Sequence, residues 1–179
     1  MKVYYDPQFT HSYCSDPAAA PGRIEAILSA LDGQVTFVDA EEATPEDIAS
    51  CHSDHHIDKV KRSGLYSIAA LAAGASIQAA LTGLKEPSFG LVRPPGHHAS
   101  KDSSWGFCYF NNMAIAIRKL KTEGLIRKAF ILDFDLHYGD GTKDILGNSG
   151  FVEIFNPPDG QAGSYLRSVE RAMPDDADI

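Results

Sequence analysis

The sequence is poor in cysteine and has no long apolar run. Cys14, Cys51 and Cys108 are its only three cysteines, widely spaced and without a Cys-x-x-Cys pair. A disulfide framework is therefore not expected, and a reducing, cytoplasmic location is. The opening MKVYYDPQF has one lysine and no apolar core segment, so no secretory signal is expected. The most apolar stretch is broken by Ser67, Gly74, Ser76 and Gln78, which argues against a membrane-crossing helix. Positive charge is also scarce, with 16 Lys and Arg against 24 Asp and Glu, a net charge of -8. Without a basic face, direct nucleic-acid binding is not expected. An acidic surface tolerates a cationic substrate.

What is there suits one globular domain over residues 1–179, 44% hydrophobic and 22% charged. Strand-like segments fall at residues 2–5, 34–40, 88–93, 128–134 and 151–155. Helical spacing covers 21–31, a helix start falls at Thr44 with Pro45 behind it, and a second helical stretch runs through Ile57 and Val60. Residues 65–84, rich in Ala and Leu, read as a long, mostly buried helix, and 112–120 and 163–172 as two more. Strands that alternate with helices predict an α/β class with a mostly parallel sheet flanked by helices. KAFILDF at 128–134 is nearly continuous apolar sequence, as a central parallel strand requires. After the turn-like stretch at 174–178 the alternation calls for another strand, so the sheet is expected to be incomplete on its C-terminal side.

Ligands of open α/β sheets bind beyond the C-terminal ends of strands. Two such ends carry unusual residues. Asp133, Asp135 and His137 alternate, so an extended backbone turns all three to one face. Closing a buried strand with them is costly unless a metal or partners compensate. A carboxylate with an imidazole is a zinc-type donor set, and Gly139 and Gly141 let the backbone come close to what is bound. A solvated acidic turn is the plain alternative. The second end carries His97 and His98 behind Arg93-Pro94-Pro95-Gly96, a stiff lead-in that fixes their direction. Histidine is the usual acid–base group near neutral pH. Asp133 and Asp140 are available to take the second ring N–H of each and set its tautomer. A surface accident is the alternative for the pair taken alone.

Together, RPPGHHA at 93–99, GFCYFNN at 106–112 and D-x-D-x-H-x-G-D-G-T at 133–142 resemble, in order and spacing, the histone deacetylase and acetylpolyamine amidohydrolase family. VYYDPQF at 3–9, His52-Ser53 and the 64–80 helix are similar to it too. The resemblance implies an arginase-like α/β fold and zinc-dependent hydrolysis of an N-acetyl amide. The substrate would be a small cationic acetylated amine or an acetyl-lysine. By the same resemblance, Asp135 and His137 match two of three zinc ligands. His98 matches the general base and acid, paired with Asp140; His97 matches its electrostatic partner, paired with Asp133. Gly106 and Phe107 match a wall of the substrate tunnel, and Arg23 a residue lining an internal channel. A structural potassium ion held partly by Asp133, Asp135 and His137 is also implied.

The sequence departs from the family pattern in places. The third zinc ligand and a transition-state tyrosine belong to family segments beyond Ile179, and Asp175, Asp176 and Asp178 do not match them. The N-terminal His-Pro-Glu-Arg segment is eroded at 16–23, and the segment between His56 and Leu65 is short. A non-catalytic or split deacetylase, completed by another chain or by a homo-oligomer, is therefore the competing reading. A two-metal ureohydrolase ranks below both, because position 139 is Gly where a second carboxylate is wanted. His52, His55 and His56 have a spacing that can bind metal, but they match the family's His-Ser-x-x-Tyr-Ile segment. Trp105 suits a packing role as well as a tunnel wall, Cys108 suits a buried apolar role, and Asn111 or Asn112 a helix N-cap.

Overall fold

The computed structural model describes residues 1–157 and 165–179. Strands β1 (Lys2–Tyr5), β2 (Thr36–Asp39) and β3 (Ser88–Gly90) form a parallel ladder in the order β2-β1-β3. Strands β4 (Ala129–Leu132) and β5 (Val152–Phe155) form a second parallel ladder. The helices are α1 (Arg23–Leu31), α2 (Pro45–Ala49), α3 (Asp54–Arg62), α4 (Tyr66–Gly83), α5 (Asn112–Thr122), α6 (Asp140–Leu146) and α7 (Tyr165–Ala172). The α/β class and the parallel pairing are as the sequence predicts, with the strands in two ladders among the described residues. No helix among them is long and apolar enough to cross a membrane.

Alternation along β1 explains its position. Val3 packs with Ile24 of α1 on one face, and Tyr4 packs with Leu71, Ala72 and Ala75 of α4 on the other. Helix α4 is apolar nearly all round and is buried along most of its length. Small residues let it come close to its neighbours. A Cβ on Gly74 would sit 1.8 Å from the Glu41 carbonyl oxygen, and Ala43 N–H donates to the Ala70 carbonyl at 2.9 Å. The main core joins α4 and α5 to Ala129 and Ile131 of β4. Helix α2 is closed by a capping box between Thr44 and Asp47. Asp47 also pairs with Lys119 of α5 at 3.0 Å.

Several element boundaries differ from the sequence reading. The strand expected over 88–93 ends at Gly90. Leu91 N–H still donates to the Tyr4 carbonyl, but Pro94 and Pro95 have no N–H to extend the ladder. Arg93 turns inward and is buried, donating Nη2 to the Ala20 carbonyl at 3.1 Å. Helix α1 begins at Arg23 because Gly22, with φ of 87°, holds the left-handed turn ahead of it. The strand expected over 128–134 stops at Leu132, so residues 133–139 form a loop. Of the helix expected over 163–172, positions 163 and 164 lie outside the described residues, and α7 covers the rest. Asp178 and Ile179 lie along β4, with Asp178 N–H on the Lys128 carbonyl and Phe130 N–H on that of Ile179.

Helix α6 is absent from the sequence reading, which takes Gly139 and Gly141 as letting the backbone come close to what is bound. Gly141 is helical, and its role is close approach: a Cβ there would lie 2.5 Å from the Ala99 backbone.

Candidate active site

Two loops meet beyond the strand ends, residues 94–111 after β3 and residues 133–139 after β4. The first is tied down by amides and a histidine. Asn112 Nδ2 donates to the Pro94 carbonyl at 2.9 Å. Asn111 Nδ2 donates to the Ala99 carbonyl and to Thr142 Oγ1, both at 3.1 Å, while Oδ1 caps α5 on Ala114 N–H. His52 Nε2 accepts the Asn111 N–H at 2.9 Å, so its Nδ1 carries the proton and donates to the Ser100 carbonyl at 2.9 Å. His56 Nε2 donates to the Tyr109 carbonyl at 2.6 Å. His52 and His56 are thus buried scaffold of the loop, and His55 is exposed.

This clamp sets His97 and His98 side by side, with ring centroids 4.0 Å apart. Each ring has its own carboxylate. His97 Nδ1 is 3.0 Å from Asp133 Oδ2, and His98 Nδ1 is 2.6 Å from Asp140 Oδ1. Gly139 leaves the room for the first pair, since a Cβ there would meet Asp133 Oδ2 at 2.3 Å. Thr142 N–H, in the first turn of α6, donates to the His97 carbonyl at 3.1 Å and so joins the two loops.

Burial opposes charge on His97, yet the Asp133 hydrogen bond and the charges of Asp133, Asp135 and Asp140 outweigh it and leave its pKa above the ordinary histidine value. Burial would raise Asp133, but the His97 bond and the Asp135 N–H hold it below the usual carboxylate range. Burial also opposes ionisation of Asp140, and bonds from Trp105 and His98 bring it down. Asp133 therefore favours the protonated form of His97, and the two histidines favour ionisation of Asp133 and Asp140.

Asp135 and His137 stand at the mouth of this cluster. Asp135 Oδ1 accepts the His137 N–H at 2.8 Å and lies 3.3 Å from His137 Nδ1. The same oxygen is 3.7 Å from His97 Nε2. Both side chains are open to solvent, 52% and 64% exposed. Carboxylate oxygen and imidazole nitrogen are the donor types a catalytic zinc takes. This pair fits two of its three protein ligands. Among the described residues no group of three or more such side chains converges. The extended backbone expected here is not formed: residues 134–138 are all exposed and lie in the loop after β4, so burial does not set Asp135 and His137 apart from Phe134, Leu136 and Tyr138. Asp178 is engaged by the N–H groups of Arg127 and Lys128, and Asp176 by Lys128 Nζ.

Gly106 and Phe107 both take left-handed backbone, with φ of 56° and 49°. For Phe107 this costs about 1–3 kcal/mol, offset by the packing of the loop around it. The turn places Gly106 against the His98 ring and Phe107 on a cavity of about 240 Å³ shared with Trp105, Lys59 and Tyr109. Cys108 is buried, and its thiol is pushed up to about 12, chiefly by that burial. Arg23 is exposed at the start of α1 and donates Nη1 to the Ala18 carbonyl at 2.6 Å. No hydrogen bond among the described residues joins it to the histidine cluster.

Sequence reasoning missed three parts of the site. Trp105 donates Nε1–H to Asp140 Oδ2 at 2.9 Å and stacks on His98. His52 and Thr142 brace the loop from two other elements. His52 precedes α3, and its spacing to His55 and His56 gives no sign of its bond to Asn111.

Comparison with known proteins agrees with this picture. A family model described as a histone deacetylase domain matches residues 62–156. The chain is 38% identical over 165 residues to a probable deacetylase of Methanothermobacter thermautotrophicus, covering 81% of this chain and 50% of that protein. It is 33% identical over 144 residues to a histone deacetylase-like amidohydrolase of Pseudomonas aeruginosa, covering 69% and 38%. It is 29% identical over 197 residues to the polyamine deacetylase HDAC10 of Mus musculus, covering 91% and 30%. The crystal structure of an HDA15 HD domain superposes with a TM-score of 0.78 at 29% identity, covering 87% of this chain and 54% of that one. Fold and site thus define an α/β domain of deacetylase type. The chain belongs to the histone deacetylase family, and it spans half or less of the length of these curated relatives.

Proposed function

We propose that this chain carries the acid–base centre of a zinc-dependent deacetylase that hydrolyses N-acetyl amides of the acetyl-lysine or acetylpolyamine type. The observation that carries the reading is the double histidine–carboxylate arrangement, His97 with Asp133 and His98 with Asp140, opening onto Asp135 and His137. The net charge of -8 suits a cationic amine substrate, and one relative is named as a polyamine deacetylase.

Asp140 accepts a hydrogen bond from the Nδ1–H of His98, which leaves the Nε2 lone pair free for proton transfer. His98 accepts a proton from the attacking water at Nε2 and later returns it to the departing amine. His97, whose protonated form Asp133 favours, serves as the electrostatic partner of His98 next to the reacting carbonyl. Gly106 and Phe107 line the approach of the apolar substrate stem. Asp135 and His137 would hold the zinc, which when bound polarises the amide carbonyl and acidifies water. A potassium ion held partly by Asp133, Asp135 and His137 belongs to the same proposal.

Metal titration of the purified 179-residue chain tests this. We expect one zinc per chain, with Asp135→Ala and His137→Ala each weakening it at least about 10-fold, and atomic absorption detecting potassium alongside. Zinc uptake that neither substitution affects would contradict the assignment. Zinc binding with no turnover would favour the second reading, a split or non-catalytic deacetylase. The two-donor cluster among the described residues is the observation behind that reading.

A further inference from the structure

Trp105 is the sole tryptophan of the chain, and 54% of it is exposed, so burial does not fix where it sits. Its indole nevertheless makes two specific contacts with one dyad. Nε1–H donates to Asp140 Oδ2 at 2.9 Å, while His98 Nδ1 holds Oδ1 of the same carboxylate at 2.6 Å. The indole also lies on the His98 ring, with centroids 3.6 Å apart and planes 28° from parallel. The next residue, Gly106, closes the edge of that ring, where a Cβ would come 2.7 Å from His98 Cδ2.

The contacts answer a physical difficulty. A neutral imidazole has two tautomers, and proton transfer at Nε2 needs the proton on Nδ1. Asp140 is meant to hold it there, yet its side chain is 46% exposed, and water competes for both oxygens. With one oxygen on His98 and the other on the indole, the carboxylate cannot rotate without breaking a bond. With a ring on its face and Gly106 at its edge, the imidazole cannot flip without displacing both.

We infer that Trp105 is a positioning residue, which locks the Asp140 carboxylate to the His98 ring so that His98 keeps its proton on Nδ1 and presents Nε2. The inference rests on the proposed proton-transfer role of His98, but its test does not need turnover.

The test is a long-range proton–nitrogen NMR spectrum of the histidine rings in the ¹⁵N-labelled 179-residue chain, at a pH where the His98 ring is neutral. The His98 signals are assigned by their loss in His98→Gln. The wild type should show His98 as the Nδ1–H tautomer with a far-downfield ring proton. Trp105→Phe keeps a ring to stack and removes the indole N–H. It should shift the tautomer ratio toward Nε2–H by about 5-fold or more, roughly one lost hydrogen bond. Trp105→Ala should shift it further. The His52 ring signals report that the loop remains folded in each variant.

An unchanged His98 tautomer and downfield proton in Trp105→Phe would overturn the inference. Where the chain turns over an acetyl-lysine substrate, Trp105→Phe should lower kcat about 10-fold with KM unchanged. A change in KM alone would also overturn it, because that would make Trp105 a substrate contact. A tautomer shift in a chain with no turnover would leave the inference standing and count against deacetylation by this chain.

Discussion

The chemistry rests on single side chains that are individually ordinary. His98 becomes a one-sided base because Asp140 occupies its Nδ1. Asp140→Asn should therefore leave the fold intact and lower kcat about 100-fold or more in an active preparation, because an amide can hold the wrong tautomer. Steady-state kinetics check this, and an unchanged kcat would remove the dyad from the mechanism. The cysteines give a contrasting case. Burial pushes the thiols of Cys51 and Cys108 up to about 11 and about 12, whereas Cys14 is only half-buried. At pH 8 a thiol reagent should modify one cysteine in the native chain and three after denaturation, read by mass spectrometry.

Elements position these residues, and glycine sets the spacing between elements. Gly141 lets the first turn of α6 lie against the Ala99 backbone. Gly141→Ala should force the two loops apart and cost about 1–3 kcal/mol, measured as a lower urea midpoint. Gly74→Ala should do comparable damage where α4 meets residues 41–43. This is also the scale at which the sequence is hardest to read. Helices α3 and α5 follow the apolar spacing closely, because helical periodicity is local, and α4 is legible from its Ala- and Leu-rich composition. Helix α6 is hidden, because glycine weakens a helical pattern, whereas Gly141 serves a contact with Ala99 that is remote in sequence. Strand β3 ends early because Pro94, Pro95 and buried Arg93 act beyond the local pattern. The His97–Asp133 and His98–Asp140 pairs form as their motif order suggests. Trp105 does not declare itself, because its partner is 35 residues away and its exposure resembles that of any surface aromatic.

At the scale of the whole molecule, buried histidines couple stability to pH. Burial, with the neighbouring His56 charge, pushes His52 down to about 4 from an ordinary 6.5, and His56 is lowered in the same direction, first by burial. The unfolded chain therefore takes up these protons first. Their contribution is complete above about pH 6.5 and is lost as the pH falls toward 4. The urea midpoint should drop across that window. In His52→Asn, whose amide can still donate to Ser100, the drop should be shallower from a lower starting value. An equally steep drop in the variant would assign the acid sensitivity to other groups.

The most direct measurement of the central claim is hydrolysis of an acetyl-lysine substrate by the purified, zinc-supplemented 179-residue chain, with His98→Ala alongside. The account predicts turnover that the substitution lowers at least about 100-fold without unfolding the protein. Turnover that His98→Ala leaves unchanged would contradict it.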